Sequence, residues 1–167
     1  MQQLHPRAKW LFFFKFVISN IFLSIFVVFL FAAYMTPLFK AETPQVVGIA
    51  VIFYFFMIGL SGIFSYLWAG LTYSNYKYQI SEDALKIELG VISKKFVSIP
   101  YDRIQNVDIY RGLFDRMLGL SDLHIQTAGI SGYALTEGRI PGIDPSLAEE
   151  LRAKLIQLAK KPTRQGV

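Results

Sequence analysis

Two histidines and no cysteine bound the chemistry open to this 167-residue chain. Without a thiol there is no disulfide, no thiolate metal site and no cysteine nucleophile. His5 lies near the start of the chain. His124 falls on the polar phase of an alternating segment, where a surface position is the simpler reading than a general base. Asp102, Asp108, Asp115 and Asp122 recur, but in different segments with no sign of convergence, so each reads as a turn or a solvated face. No HExxH, P-loop or Cys-His spacing occurs. Gly129-Ile-Ser131-Gly132 is one residue short of a nucleophile elbow. The residue set therefore points away from catalysis and implies neither a metal nor a cofactor.

Cations at turns are the better candidates for function. Lys94 and Lys95 follow Ser93 in a polar turn, and Tyr101-Asp102-Arg103 follows Pro100. Asp102 suits the cap of a turn, and Arg103 either pairs with it or reaches an acidic partner. The stretch Arg111 to Leu118 mixes apolar and basic residues; about half of its apolar side chains are expected to plug the core. Basic groups at turns and strand ends are where a rigid domain presents its contacts. Beside an anionic leaflet each is worth about 1 kcal/mol. Lys94, Lys95, Arg103 and Arg111 are thus the candidate binding residues. The net charge of +5 does not imply nucleic acid, because from Lys77 onward 13 Lys and Arg stand against 11 Asp and Glu, with no dense one-sided cluster.

What must position these residues is set by two long uncharged runs. Neither Phe16–Phe39 nor Thr43–Tyr76 contains an Asp, Glu, Lys or Arg. Each exceeds the roughly 20 apolar residues that cross a hydrocarbon core of about 30 Å as a helix. Spans are expected at about residues 16–39 and 46–71, joined by a tight turn holding Lys40 and Glu42. The first run is too long for a cleaved signal peptide and reads as an uncleaved anchor. Arg7, Lys9 and Lys15 precede the first run; Lys77, Lys86, Lys94 and Lys95 follow the second. This asymmetry puts both termini in the cytoplasm. Trp10, Tyr34, Trp68 and Tyr73 sit near the span ends, as interfacial aromatics do. Gly59-Leu-Ser61-Gly62 either permits close helix contact or is ordinary membrane-helix composition.

Beyond Tyr76 the pattern changes to period two. Strands are expected at 76–81, 85–89, 96–99, 107–110 and 123–127, with a last hairpin from Tyr133–Leu135 and Gly138–Ile140. Residues 113–118, between Gly112 and Gly119, read as one helical turn. Asp144 and Pro145 then open a helix whose stripe is Leu147, Leu151, Leu155 and Leu158. A small curved antiparallel sheet with one open side, covered by a terminal helix, is the architecture of a pleckstrin-homology-like (PH-like) barrel. The domains are accordingly 1–75, the N-terminal segment with two transmembrane helices; 76–161, the PH-like domain; and 162–167, a tail.

The runs Ile99-Pro-Tyr-Asp-Arg-Ile-Gln-Asn-Val107, Leu118-Gly-Leu and Ile140-Pro-Gly-Ile-Asp144, with Leu4-His-Pro6 ahead of two apolar helices, resemble bacterial pleckstrin-homology domain proteins of the YdbS-like group. The resemblance covers nearly the whole chain. It implies a membrane-tethered split barrel with no known catalysis, and supplies no binding residues of its own. The expectation is a two-helix transmembrane hairpin followed by a mainly-β PH-like split barrel capped by a C-terminal helix. It would be a non-enzymatic module on the cytoplasmic face of a bacterial inner membrane. Its partners would be the lipid bilayer and a protein or another copy of itself, with no nucleic acid. Anionic-lipid sensing, or service as an accessory subunit of an envelope complex, are the alternatives.

Overall fold

The computed structural model describes residues 1–39, 43–127 and 138–160. They fall into two compact units, one formed by Phe12–Ala69 and the other by Met1–Leu11 together with Gly70–Val167. The expected strand at Tyr133–Leu135, the turn at Gly129–Gly132 and the tail lie outside the described residues.

The apolar unit is carried by helix α1 (Ala8–Phe39) and helix α2 (Thr43–Ser74). Both are long and apolar enough to cross a membrane. Their large side chains face outward: Phe22, Phe29, Ile52 and Phe55 are exposed, the reverse of a soluble core. Polar groups are satisfied along the helices. Asn20 Nδ2 donates to Phe16 O at 2.9 Å and reaches Ser65 Oγ at 3.4 Å, while Ser24 Oγ donates to Ile21 O at 2.8 Å. Phe31 stacks on Phe53 with ring centroids 4.3 Å apart. Gly59 and Gly62 do not sit at this helix contact, since a Cβ at either would meet nothing within 4 Å.

The second unit contains two antiparallel sheets. One has the order β1 (Gln2–Gln3), β2 (Lys77–Ile80), β3 (Ala84–Leu89), β4 (Lys95–Pro100); the other has the order β5 (Ile104–Tyr110), β6 (Ser121–Thr127), β7 (Arg139–Ile143). The period-two segments form strands as expected, with Leu85 opposite Ile99 and Val107 opposite Ile125. Their inward residues make one core: Tyr78, Leu85, Ile87, Val107, Leu123 and Ile140 are fully buried. Pro100 ends β4, and a 3-10 turn at Tyr101–Arg103 carries the chain to the second sheet. The Tyr101 hydroxyl donates to Ser81 O at 2.6 Å and pins that corner.

Helix α3 (Leu113–Leu118) is the expected helical turn. Asp115 Oδ2 accepts from Gly112 N at 3.0 Å at its start, and Gly119, at φ 68°, ends it in the left-handed region that glycine tolerates. Helix α4 (Pro145–Ala159) starts where Asp144 Oδ1 accepts from Ser146 N at 3.0 Å. It buries Ala148, Leu151 and Leu155 and packs on β5, β6 and the 3-10 turn. Arg152 Nε donates to Val107 O at 3.1 Å and fastens helix to sheet. Leu147 and Leu158 are only half-buried, so the covering stripe is narrower than the leucine spacing suggests.

One strand was not expected. Gln2 pairs with Tyr78 and Gln3 with Lys77, so the first strand of this sheet comes from before the two long helices and the second from after them. Leu4, Ala8 and Leu11 are buried in the same unit. The compact unit thus extends beyond residues 76–161 to take in the first 11 residues.

Leu151 is 5% exposed, whereas Gln157 faces solvent on the same helix. Leu151→Ala is expected to cost about 2–5 kcal/mol, and Gln157→Ala to stay within about 0.5 kcal/mol. Thermal unfolding of the detergent-solubilised chain checks this; equal melting temperatures for the two variants would remove α4 from the core.

Candidate functional site

The four candidate cations do not form one patch. Gly90, at φ 109°, begins the β3–β4 turn, and a Cβ there would lie 1.9 Å from Ser93 O. That tight turn lets Lys94 Nζ donate to Glu88 Oε1 at 2.6 Å. The Lys94 hydrogen bond, helped by the charges of Lys94 and Lys77, holds the Glu88 carboxyl below its ordinary value. Lys94 is therefore engaged in the turn, while Lys95 starts β4 beside it. Arg103 lies on the exposed side of the 3-10 turn, immediately before β5, and makes no ion pair with Asp102 among the described residues. Arg111 immediately follows β5. The eight residue steps between them span about 26 Å at roughly 3.3 Å per residue, so Arg103 and Arg111 occupy opposite ends of β5.

Arg111 has company that its sequence neighbourhood does not reveal. Its Nε donates to Leu120 O at 3.2 Å, and Arg7 Nη1 reaches Leu118 O at 3.4 Å. Both guanidinium groups thus lie at the C-terminal end of α3, and Arg116 is exposed on α3 itself. Leu113 and Met117, on one face of α3, are 69% and 70% exposed. They are the half of this segment's apolar residues that stays outside, while Phe114 and Leu118 are half-buried. Leu120, Leu123 and Ile140 fill the core.

The second departure is Asp122. Its residue is 3% exposed, against the expectation of a solvated face. The carboxylate pairs with Arg139 Nη2 through Oδ2 and accepts from Gly142 N at 2.9 Å through Oδ1. Tyr76 donates its hydroxyl to Arg139 O. Burial pushes the Tyr76 hydroxyl above its ordinary value, the Arg139 charge opposes this and the Asp122 charge adds to it, so the group stays a neutral donor. Gly142 is also the seat of the N-terminal segment. His5 N donates to Gly142 O at 3.2 Å, and a Cβ on Gly142 would lie 2.5 Å from Ala8 Cβ. Leu4-His-Pro6 and Ile140–Asp144, at opposite ends of the chain, are therefore two halves of one contact. Asp115, also expected on a solvated face, is buried as the cap of α3. His124 is half-buried with its ring 4.6 Å from that of Tyr110, and His5 Nδ1 accepts from Arg7 N at 3.2 Å.

Two antiparallel sheets closed by a C-terminal helix agree with comparison at the family level: the family model described as Bacterial PH domain matches residues 10–159. The chain belongs to the bacterial PH domain family. No curated protein and no solved structure matches it. As a bacterial PH domain protein it has the architecture of an interaction module. Its long helices are compatible with a lipid bilayer, and its first strand precedes both of them.

Asp122→Asn leaves Arg139 without its counter-charge in a site that is largely closed to water. It is expected to destabilise by about 3–5 kcal/mol. Hydrogen exchange of the solubilised chain should then quicken in both 2–11 and 76–80, since Asp122 ties the two segments. Exchange that quickens only around 139–143 would sever that link.

Proposed function

We propose that this protein is a membrane-anchored, non-enzymatic module. Its α1–α2 hairpin spans a bacterial inner membrane, and its PH-like domain docks a protein partner, which includes a second copy of the chain. The observation that carries the docking reading is the β3–β4 corner. Ile92 is 88% exposed and Phe96 is 70% exposed, on a folded domain whose other large strand residues are mostly buried. Strand β4 also hydrogen-bonds only to β3 among the described residues, so it offers an open edge that an added strand can extend. Arg103 at the far end of the same edge adds an exposed charge that suits an acidic partner. An accessory subunit of an envelope complex is one form of this reading. Anionic-lipid binding is the second reading, favoured by Arg7, Arg111 and Arg116 around α3 rather than by the β4 edge.

The orientation rests on the basic flanks, which put both termini and the domain in the cytoplasm. The absence of native cysteine makes this directly measurable. With an impermeant thiol reagent on intact cells, Thr43→Cys is expected to label, and Gln3→Cys and Gln165→Cys to be protected. The reverse pattern would invert the topology.

For docking, a photo-crosslinking amino acid placed at Ile92 or Phe96 of the full chain in membranes is expected to give a discrete adduct, while Glu82 on the β2–β3 turn gives none. An adduct of twice the chain mass identifies a second copy. Absence of any adduct at both positions would remove β4 as the docking edge.

A further inference from the structure

The α3 corner joins three features that its length alone would not make significant. Leu113 and Met117 lie four residues apart, hence on one helical face, and both are strongly exposed, at 69% and 70%. Tyr110, at the end of β5 just before α3, is 54% exposed. Arg7 and Arg111 reach the C-terminal end of α3, and Arg116 is exposed on it. Among the described residues Arg111 uses only Nε, on Leu120 O, which leaves the two Nη groups of its fork for an anion. The buried side of α3 is held by the Asp115 cap, so the helix is anchored on one side and bare on the other.

What covers the bare side follows from where the corner is tied. The Arg7 guanidinium holds Leu118 O at 3.4 Å. Arg7 precedes the uncharged run that begins at Phe16 by nine residues, which lie in α1 and rise about 14 Å at 1.5 Å per residue. If α1 spans a bilayer, the C-terminal end of α3 is therefore held near its surface through Arg7. Apolar and aromatic side chains beside arginine suit the boundary between headgroups and acyl chains, with the cations on anionic headgroups. We propose that α3 is an interfacial foot: Leu113, Met117 and Tyr110 insert into the cytoplasmic leaflet, and Arg7, Arg111 and Arg116 bind its anionic headgroups. This inference rests on the membrane-anchored reading above and adds to it a specific lipid-contacting surface, separate from the protein-docking edge.

The test uses the full chain reconstituted in vesicles of phosphatidylcholine and phosphatidylglycerol. A fluorophore is attached to single cysteines at Leu113→Cys, Met117→Cys, Gln157→Cys and Phe26→Cys, and quenched by lipids carrying a nitroxide at the headgroup or deep in the acyl chain. The Phe26 label should be quenched by the deep nitroxide. Labels at 113 and 117 should be quenched by the headgroup nitroxide several-fold more than the Gln157 label. If they instead respond to aqueous iodide as the Gln157 label does, while the Phe26 label is quenched in the bilayer, the foot is overturned and the anchor stands. If the Phe26 label escapes deep quenching, the anchor fails and the foot with it. Because a labelled cysteine replaces the side chain it tests, a reporter at Arg116→Cys supplies a second measurement. Its headgroup quenching should fall several-fold on adding Leu113→Ser and Met117→Ser, and unchanged quenching overturns the proposal.

Discussion

A single buried carboxylate organises the folded unit. Asp122 is removed from water, and a charge in that position persists only if it is paired and hydrogen-bonded. Arg139 supplies the charge and Gly142 N the hydrogen bond. Those two residues in turn hold the segments that flank the long helices. Gly142 O accepts from His5 N, and Arg139 O accepts from Tyr76. The chain entering α1 and the chain leaving α2 are thereby fastened to β7 through one group. The desolvation cost of that charge is offset by bonds whose other ends secure the fold's connectivity.

From this fastening follows an uncommon arrangement of the first sheet. Strand β1 has two residues, too few to persist alone, and its partner β2 lies beyond both helices. Buried Leu4 beside it and Ala8 against Gly142 supply the packing that the short ladder lacks. The helical hairpin is in effect an insertion between two neighbouring strands of a PH-like domain. Its two ends are then held by the same domain.

Charged residues in this domain divide by role according to what they touch. Lys94 closes a turn on Glu88, and Arg152 ties α4 to β5. Arg139 balances Asp122 inside the fold. Arg103, Arg111 and Arg116 are exposed on its surface. A basic residue at a turn is thus ambiguous until its partner is known: Lys94 and Arg103 occupy comparable sequence contexts, yet among the described residues only Lys94 has an ion pair.

Local pattern was enough for the elements themselves. Two uncharged runs, period-two alternation from Tyr76 to Thr127, glycines around α3 and the Asp144-Pro145 helix start are all short-range signals, because a helix or strand must bury its face at its own period. The PH-like class followed from their order. Three features were decided only by tertiary contact. A two-residue strand has no periodicity, so the pairing of Gln2–Gln3 with β2 could not be read. Asp122 alternates with apolar neighbours as a surface residue would, and only the approach of Arg139 and Gly142 makes its burial tolerable. Leu113 and Met117 look like core residues by type, yet the core is already filled by Leu120, Leu123 and Ile140. Residue type and spacing determine what a segment can form; which of its faces is covered depends on neighbours that are distant in the chain.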